Sequence, residues 1–172
     1  ENIKITIHAA ESTEENELMI NGTGFFAEIY KNFGFEWHSP KLSSVEYLDK
    51  IGVLQAKPLL AHCVKVSDAD NELIKNSDSR IAHCQKSNAK FGHGIAPLEK
   101  FLDEKIKVGF GSDSVASNNV CDILEEARFA ALWARNLNDR KRFLSAAEII
   151  ETATLGGAKS LGLENEIGTL EA

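Results

Sequence analysis

The sequence lacks the patterns that mark membrane, disulfide-rich and nucleic-acid-binding proteins. No apolar stretch approaches the roughly 20 residues that cross a bilayer, and residues 1–4 carry no signal-peptide pattern. The three cysteines, Cys63, Cys84 and Cys121, form no CxxC spacing, which argues against a disulfide framework or a zinc knuckle. The net charge of -7, with no basic cluster to offset it, argues against nucleic-acid binding. We therefore expect a cytoplasmic protein with reduced cysteines that binds neither nucleic acid nor membrane.

Length and composition are those of one globular domain. The chain has 172 residues, of which 43% are hydrophobic and 26% charged. A complete eightfold β/α barrel needs about 250 residues, so a whole barrel does not fit. Because residues 1–4 resemble the interior of a chain, we expect a cut through a larger protein.

Strand-like and helix-like segments alternate along the chain. Four short apolar runs predict strands at residues 3–8, 57–63, 80–84 and 105–110. Helical patterns cover residues 14–33 (interrupted at 21–24), 43–52, 67–76, 95–104, 122–136, 145–150 and 157–161. Alternation of this kind indicates an α/β fold with a parallel sheet. Four units are half of an eightfold barrel, and an open doubly wound sheet is the alternative.

Polar residues capable of chemistry stand where three of these strands end. His8 follows the first strand, with Glu11 three residues on; His62 ends the second, and Asp113 follows the fourth. Imidazole at a strand tip is a good zinc ligand, and a nearby carboxylate can carry protons from a metal-activated water. The set predicts an active site, but it holds too few ligands for a complete zinc hydrolase.

Each of these residues also has a structural explanation. An H-x-x-E spacing is frequent by chance, so His8 and Glu11 fit a surface position beside an acidic helix start. His62 fits a hydrogen-bonded core histidine, and Asp113 a solvated turn. His83 either lines the pocket as a substrate contact or packs beside a neighbouring strand. A dinucleotide loop at 109–114 is disfavoured because serine stands at position 114.

Three further expectations concern residues outside that set. His38 and His93 lie in loops, and we expect both to be solvent-exposed. Cys63 and Cys84 are expected to be small buried residues. Residues 22–40 are expected to form a substrate lid or an extra helix.

Four segments together resemble the metal-dependent amidohydrolases. The stretch IAHCQKSNAKF at 81–91, followed by GIAPL at 94–98, resembles their H-x-P-x-S-N-x-K-L and G-I-A-P. GSDSVASNN at 111–119 resembles G-T-D-G-x-A-S-N-N, and ATLGGAKSLGL at 153–163 resembles A-T-x-x-G-A-x-x-L-G-L. GTLE at 168–171 resembles the G-S-L-E that usually precedes G-K-x-A-D. The most similar branch contains methylthioadenosine/S-adenosylhomocysteine, aminofutalosine and guanine deaminases and triazine chlorohydrolases.

The resemblance implies roles for the strand-end residues. His8 would be a metal ligand on strand five, and Asp113 a metal ligand on strand eight that also accepts a proton from the attacking water. Glu11 would pass a proton to the ring nitrogen or the leaving amine. His62, on strand six, would orient the water or polarise the substrate. Ser117 would lie near the substrate.

Departures from the family pattern indicate a fragment. The H-x-H of strand one is absent, and the sequence stops before G-K-x-A-D, whereas Gln85 in place of proline and Ser114 in place of glycine are mild departures. We therefore predict that residues 1–172 are the C-terminal half of a partial TIM (β/α)8 barrel, about strands five to eight, without the small β domain. The parent would use one divalent ion, zinc with iron or manganese as alternatives, to deaminate a purine-like or other nitrogen heterocycle.

Two other functions stay open. One is hydrolysis of another C–N bond or of a C–Cl bond by the parent enzyme, and the other is a non-catalytic scaffold with the same barrel. The isolated 172 residues are expected to be inactive. Because an open half barrel exposes edge strands, we expect it to pair with another copy or with its missing half.

Overall fold

Four parallel strands form one sheet in this computed structural model, which describes residues 3–137 and 142–170. The strands are β1 (Thr6–Ala9), β2 (Leu59–His62), β3 (Arg80–His83) and β4 (Lys107–Phe110). Their order in the sheet is their order in the sequence. Ala9 pairs with His62 and His83 with Phe110, so the carboxyl ends of all four strands lie at one edge. The predicted α/β class and parallel sheet are confirmed.

Helical segments separate the strands, as the alternation predicts. The α-helices are α1 (Thr13–Asn16), α2 (Phe25–Asn32), α3 (Ser44–Lys50), α4 (Asp68–Asn76), α5 (Gln85–Phe91), α6 (Leu98–Asp103), α7 (Val115–Asn118), α8 (Ile123–Ala134), α9 (Ala146–Glu151) and α10 (Gly157–Leu161). Two π-helical turns, at Glu17–Asn21 and Thr152–Gly156, extend α1 and join α9 to α10. A 3₁₀ turn spans Val53–Ala56. In the part of the chain described, no helix is long and apolar enough to cross a membrane.

Local capping signals in the sequence account for several helix starts. Ser43 with Glu46 and Ser145 with Glu148 have the S-x-x-E spacing and form capping boxes, in which each side chain bonds the other residue's backbone N–H. The predicted break at 21–24 is also present. Gly22 has φ 70° and Gly24 has φ 85°, a region that favours glycine, and α2 is the extra helix expected there.

Other local predictions were wrong. The sequence pattern did not predict α5 and α7, because short helices between glycine- and serine-rich stretches show little apolar periodicity. Helix α6 begins at Leu98 rather than 95, with Pro97 before it as the N-cap. The buried face of α8 holds Glu126, Ala127, Ala130 and Ala134, and Ile123 is exposed. A buried carboxylate therefore interrupts the apolar face of this helix.

The core lies between the sheet and the helices. Its fully buried members include Leu60, Ile81 and Phe101. Cys63 and Cys84 are buried as expected, and the cysteines are free. Burial raises the pKa of both thiols, that of Cys84 to about 12, so neither is a reactive thiolate.

Candidate metal centre

Three predicted site residues meet at the carboxyl edge of the sheet. His8 lies in β1, His62 ends β2, and Asp113 lies three residues beyond β4. One ligand atom from each lies within 4.8 Å of the other two. His8 Nε2 is 3.9 Å from Asp113 Oδ1, and the His8 and His62 rings are 5.0 Å apart. Two imidazoles and a carboxylate are ligands that suit zinc.

The approach of His8 to Asp113 requires a curled sheet. Strands β1 and β4 are the two edges of the sheet, with β2 and β3 between them. In a flat sheet, three inter-strand steps of roughly 4.8 Å would separate the two edges by about 14 Å. The 3.9 Å contact between their side chains is the geometry of strands that curve round a common axis.

Two of the three residues have a left-handed backbone. His62 has φ 75° and Asp113 has φ 58°, values that are uncommon outside glycine. Such conformations cost on the order of 1–3 kcal/mol each and persist where the surrounding structure enforces them. The turns that follow β2 and β4 therefore hold both side chains toward the shared site at an energetic cost.

His62 has a fixed orientation and one free ring nitrogen. The side chain is fully buried, and its Nδ1 lies 2.7 Å from Asn88 Oδ1. Because an amide oxygen only accepts, Nδ1 carries the proton, and in the neutral ring Nε2 is the nitrogen with the lone pair. Nε2 has no hydrogen-bond partner among the described residues. A buried imidazole with an unused lone pair fits a metal ion or a substrate proton.

Hydrogen bonds hold Asp113 ionised. Ser87 and Ser117 donate to Oδ2 at 2.6 and 2.7 Å, and the Ser114 backbone N–H donates to Oδ1 at 2.7 Å. Partial burial works against ionisation, but these donors and His62 outweigh it and lower the pKa of Asp113 to about 2. The carboxylate is thus available as a metal ligand at neutral pH.

Glu11 sits between two histidines. Its Oε1 lies 3.6 Å from His62 Nε2 and 3.4 Å from His93 Nε2. Glu15 fixes the turn that carries Glu11, since its carboxylate accepts from the Ala10 and Glu11 N–H groups at 2.8 and 2.7 Å. A carboxylate held 3.6 Å from His62 Nε2 is placed to exchange protons with a group bound beside both atoms.

The expectation for His93 was wrong. Its side chain is 20% exposed and reaches Glu11, because the backbone turns back between Gly92 (φ 72°) and Gly94 (φ 114°). The paired glycines were the signal for this turn, although no residue pattern indicates its direction. His38 is exposed, as expected, with 82% of its side chain accessible.

The two predicted substrate contacts lie in different surroundings. Ser117, in α7, is buried and bonds Asp113, so it adjoins the cluster. His83 is 1% exposed, packs against Phe110, and has no described hydrogen-bond partner at Nδ1. Burial and the nearby His62 lower the pKa of His83 to about 3, which keeps the ring neutral. Its substrate role stays a prediction.

Several residues that shape the site were not predicted from the sequence. They support or adjoin the three candidate ligands from outside the strand ends: Glu15, Ser87, Asn88, His93 and Glu126. Ser87 and Asn88 stand in the S-N of the family-like stretch, which was the available signal. Glu126 lies in a helix whose pattern indicates only an amphipathic helix.

A parallel β/α sheet with an imidazole–carboxylate cluster at its carboxyl edge is the arrangement of β/α-barrel metal hydrolases. The family model described as "Amidohydrolase family" matches residues 1–172. The chain therefore belongs to the amidohydrolase family, as the sequence motifs implied.

Relatives within this family are deaminases and a chlorohydrolase. The chain is 35% identical over 163 residues to 5-methylthioadenosine/S-adenosylhomocysteine deaminase of Pyrococcus abyssi, covering 95% of this chain and 34% of that protein. A zinc-bound adenosine deaminase from Xanthomonas campestris matches with TM-score 0.80 and 26% identity, over 99% of this chain and 35% of that one. Zinc-complexed atrazine chlorohydrolase from Arthrobacter aurescens matches with TM-score 0.77 and 27% identity, over 99% and 34%. The chain spans about a third of the length of these relatives.

Proposed function

We propose that residues 1–172 are the C-terminal half of an amidohydrolase barrel domain, with β1 to β4 as strands five to eight. The four successive parallel strands and the curled sheet support this assignment. So does the 35% share of the adenosine deaminase chain that the protein covers. Strands one to four and the small β domain would then lie outside these residues.

We infer that His8 and Asp113 hold one divalent ion, most simply zinc. The residues fit such an ion, because the buried Nε2 of His62 lacks a described partner and lies within 4.8 Å of ligand atoms on His8 and Asp113. His62 is therefore available to the ion or to the group that it binds. When bound, the ion supplies Lewis-acid activation of water and substrate. Iron or manganese would suit the same ligands.

The reaction that we propose is hydrolytic removal of an exocyclic amine from a purine-like or other nitrogen heterocycle. The named activities of the relatives support this class. Asp113 accepts a proton from the attacking water, and the Glu11 carboxylate carries a proton to the ring nitrogen or leaving amine. His62 Nε2 orients the water or the substrate. Ser117 and His83 contact the substrate.

The observation that carries the proposal is the convergence of His8, His62, Asp113 and Glu11 at one strand edge. A non-catalytic scaffold would not need a buried nitrogen that lacks a hydrogen-bond partner among the described residues and lies beside an ionised carboxylate. Hydrolysis of a C–Cl bond, or of another C–N bond, is the second candidate. It is favoured by the similarity to atrazine chlorohydrolase.

The isolated chain should lack activity, and its sheet edges should be covered in the whole protein. Among the described residues, β1 and β4 each have a single neighbouring strand. An open edge of this kind pairs readily, here with the first half of the barrel or with a second copy. The free cysteines support our expectation of a reducing, cytoplasmic setting.

The test measures metal content, ammonia release and chloride release for these 172 residues and for the full-length protein. Adenosine-type substrates and a chlorotriazine are offered in parallel, with metal removed by chelation and restored as zinc. We expect the full-length protein to bind one zinc per chain and to release ammonia, and the 172 residues to do neither efficiently. Turnover by the 172 residues alone would refute the half-barrel assignment. A full-length protein without bound metal would favour the scaffold.

A further inference from the structure

One buried carboxylate outside the cluster connects the three segments that meet at Asp113. Glu126, in α8, is fully buried. Its Oε1 accepts from the Lys86 backbone N–H at 2.8 Å, and its Oε2 accepts from Asn118 Nδ2 at 2.9 Å. Asn118 Nδ2 also donates to the Ser112 carbonyl at 2.6 Å. The network lies beside the candidate metal ligands and includes none of them.

Each group in the network is the sequence neighbour of a group at the candidate site. Lys86 precedes Ser87, and Asn118 follows Ser117. Ser87 and Ser117 are the two hydroxyls that donate to Asp113 Oδ2. Ser112, in turn, directly precedes Asp113. Glu126 therefore bonds the backbone next to Ser87 directly, and through the Asn118 side chain it is linked to the residues next to Ser117 and Asp113.

The segment that Glu126 holds is strained. Asp113 and Asn119, at either end of the turn that carries α7, have φ values of 58° and 74°. Left-handed residues of this kind stay in place only where surrounding contacts enforce them. External bonds restrain this short four-residue helix: the exposed Lys90 Nζ donates to the Ala116 carbonyl and Asn119 Oδ1, and Glu126 supplies a buried bond, to Asn118.

We propose that Glu126 is a positioning residue that sets the metal affinity of the site by holding Asp113 and its two serine donors. This inference rests on the proposed role of Asp113 as a metal ligand. Groups that orient metal ligands typically contribute roughly 10- to 100-fold to affinity. Glutamine at position 126 keeps the volume and one acceptor but turns an N–H group toward Asn118 or Lys86, so one of the two bonds is lost.

The experiment compares zinc affinity among full-length variants by competition with a chromophoric chelator. Thermal unfolding of the metal-free proteins is measured alongside. Glu126→Gln should weaken zinc binding about 10-fold or more. The matched control is Glu125→Gln, which removes the neighbouring exposed carboxylate that pairs with Lys86 Nζ at 2.7 Å. A second control, Ala130→Gly, destabilises the same helix without touching the network. Both controls should bind zinc within about twofold of the parent protein.

A double-mutant cycle tests whether Glu126 affects zinc binding through the serine donors to Asp113. If Glu126 acts through the serine donors, the losses of zinc affinity in Glu126→Gln and Ser117→Ala should be less than additive when combined. Should Glu126→Gln fail to fold, Asn118→Ala cuts the same link to Ser112 and should weaken zinc binding in the same direction.

Three results would overturn the proposal. The first is zinc binding by the Glu126 or Asn118 variant that equals that of the parent. The second is an equal loss in Ala130→Gly at matched stability, which would reduce the effect to general unfolding. The third is a parent protein that binds no zinc, which would refute the proposed metal centre as well. In the first two cases the proposed function survives and only the role of Glu126 fails.

Discussion

Acid should destabilise this protein through His83. The folded state holds the ring neutral, with a pKa of about 3, because it is buried and lies near His62. In the unfolded chain the pKa is the ordinary 6.5. As the pH falls below 6.5, His83 binds a proton in the unfolded state but not in the folded state, so the free energy of unfolding decreases. The loss continues until the pH reaches the folded pKa.

The size of this effect follows from one proton. Well below the unfolded pKa, stability should fall by about 1.4 kcal/mol for each pH unit, which amounts to about 2 kcal/mol between roughly pH 7.5 and 5. Urea unfolding of the metal-free protein between about pH 7.5 and 5 measures this slope. His83→Gln should flatten it, whereas the exposed His38→Gln should leave it unchanged. The variants are compared by the slope of unfolding free energy against pH, because replacing a buried histidine also changes stability at neutral pH. An equally steep slope in His83→Gln would refute the reasoning.

Three further changes test the site and its support. Asn88→Leu removes the acceptor of His62 Nδ1, so the ring that orients the water or substrate is no longer fixed, and ammonia release by the full-length protein should slow about 10- to 100-fold. Ser117→Ala should raise the pKa of Asp113, measured by carboxyl NMR without metal. In the unsubstituted protein, the stability that ionised Asp113 adds is lost as the pH falls from 3.8 toward about 2. In the variant this loss of stability should be smaller and should end at a higher pH. Gly109→Ala places a methyl group 2.7 Å from Gly157 Cα and should cost about 1–3 kcal/mol in urea unfolding. Gly157→Ala, with open space around its added Cβ, is the matched control, and an equal loss there would contradict the packing argument.

The sequence was sufficient for most of the elements and for the residue types at the strand ends. Short apolar runs separated by capped helices predict a parallel sheet, because both signals are local and depend only on spacing. The same runs end in His8, His62 and Asp113, and parallel strands place their ends at one edge. The motifs at 81–98 and 111–119 then indicated the amidohydrolase family, which the whole-chain family match confirms.

Only the tertiary structure showed how the site is held. His8 and Asp113 come from opposite edges of the sheet, and their 3.9 Å contact depends on sheet curvature that no local pattern encodes. The turn that brings His93 to Glu11, and the burial of Glu126 between α5 and α7, depend on contacts between segments far apart in the chain. Short stretches of sequence thus determine which groups stand at the strand ends. The distances and protonation states that make them a site arise from long-range packing, which desolvates some groups and pairs others.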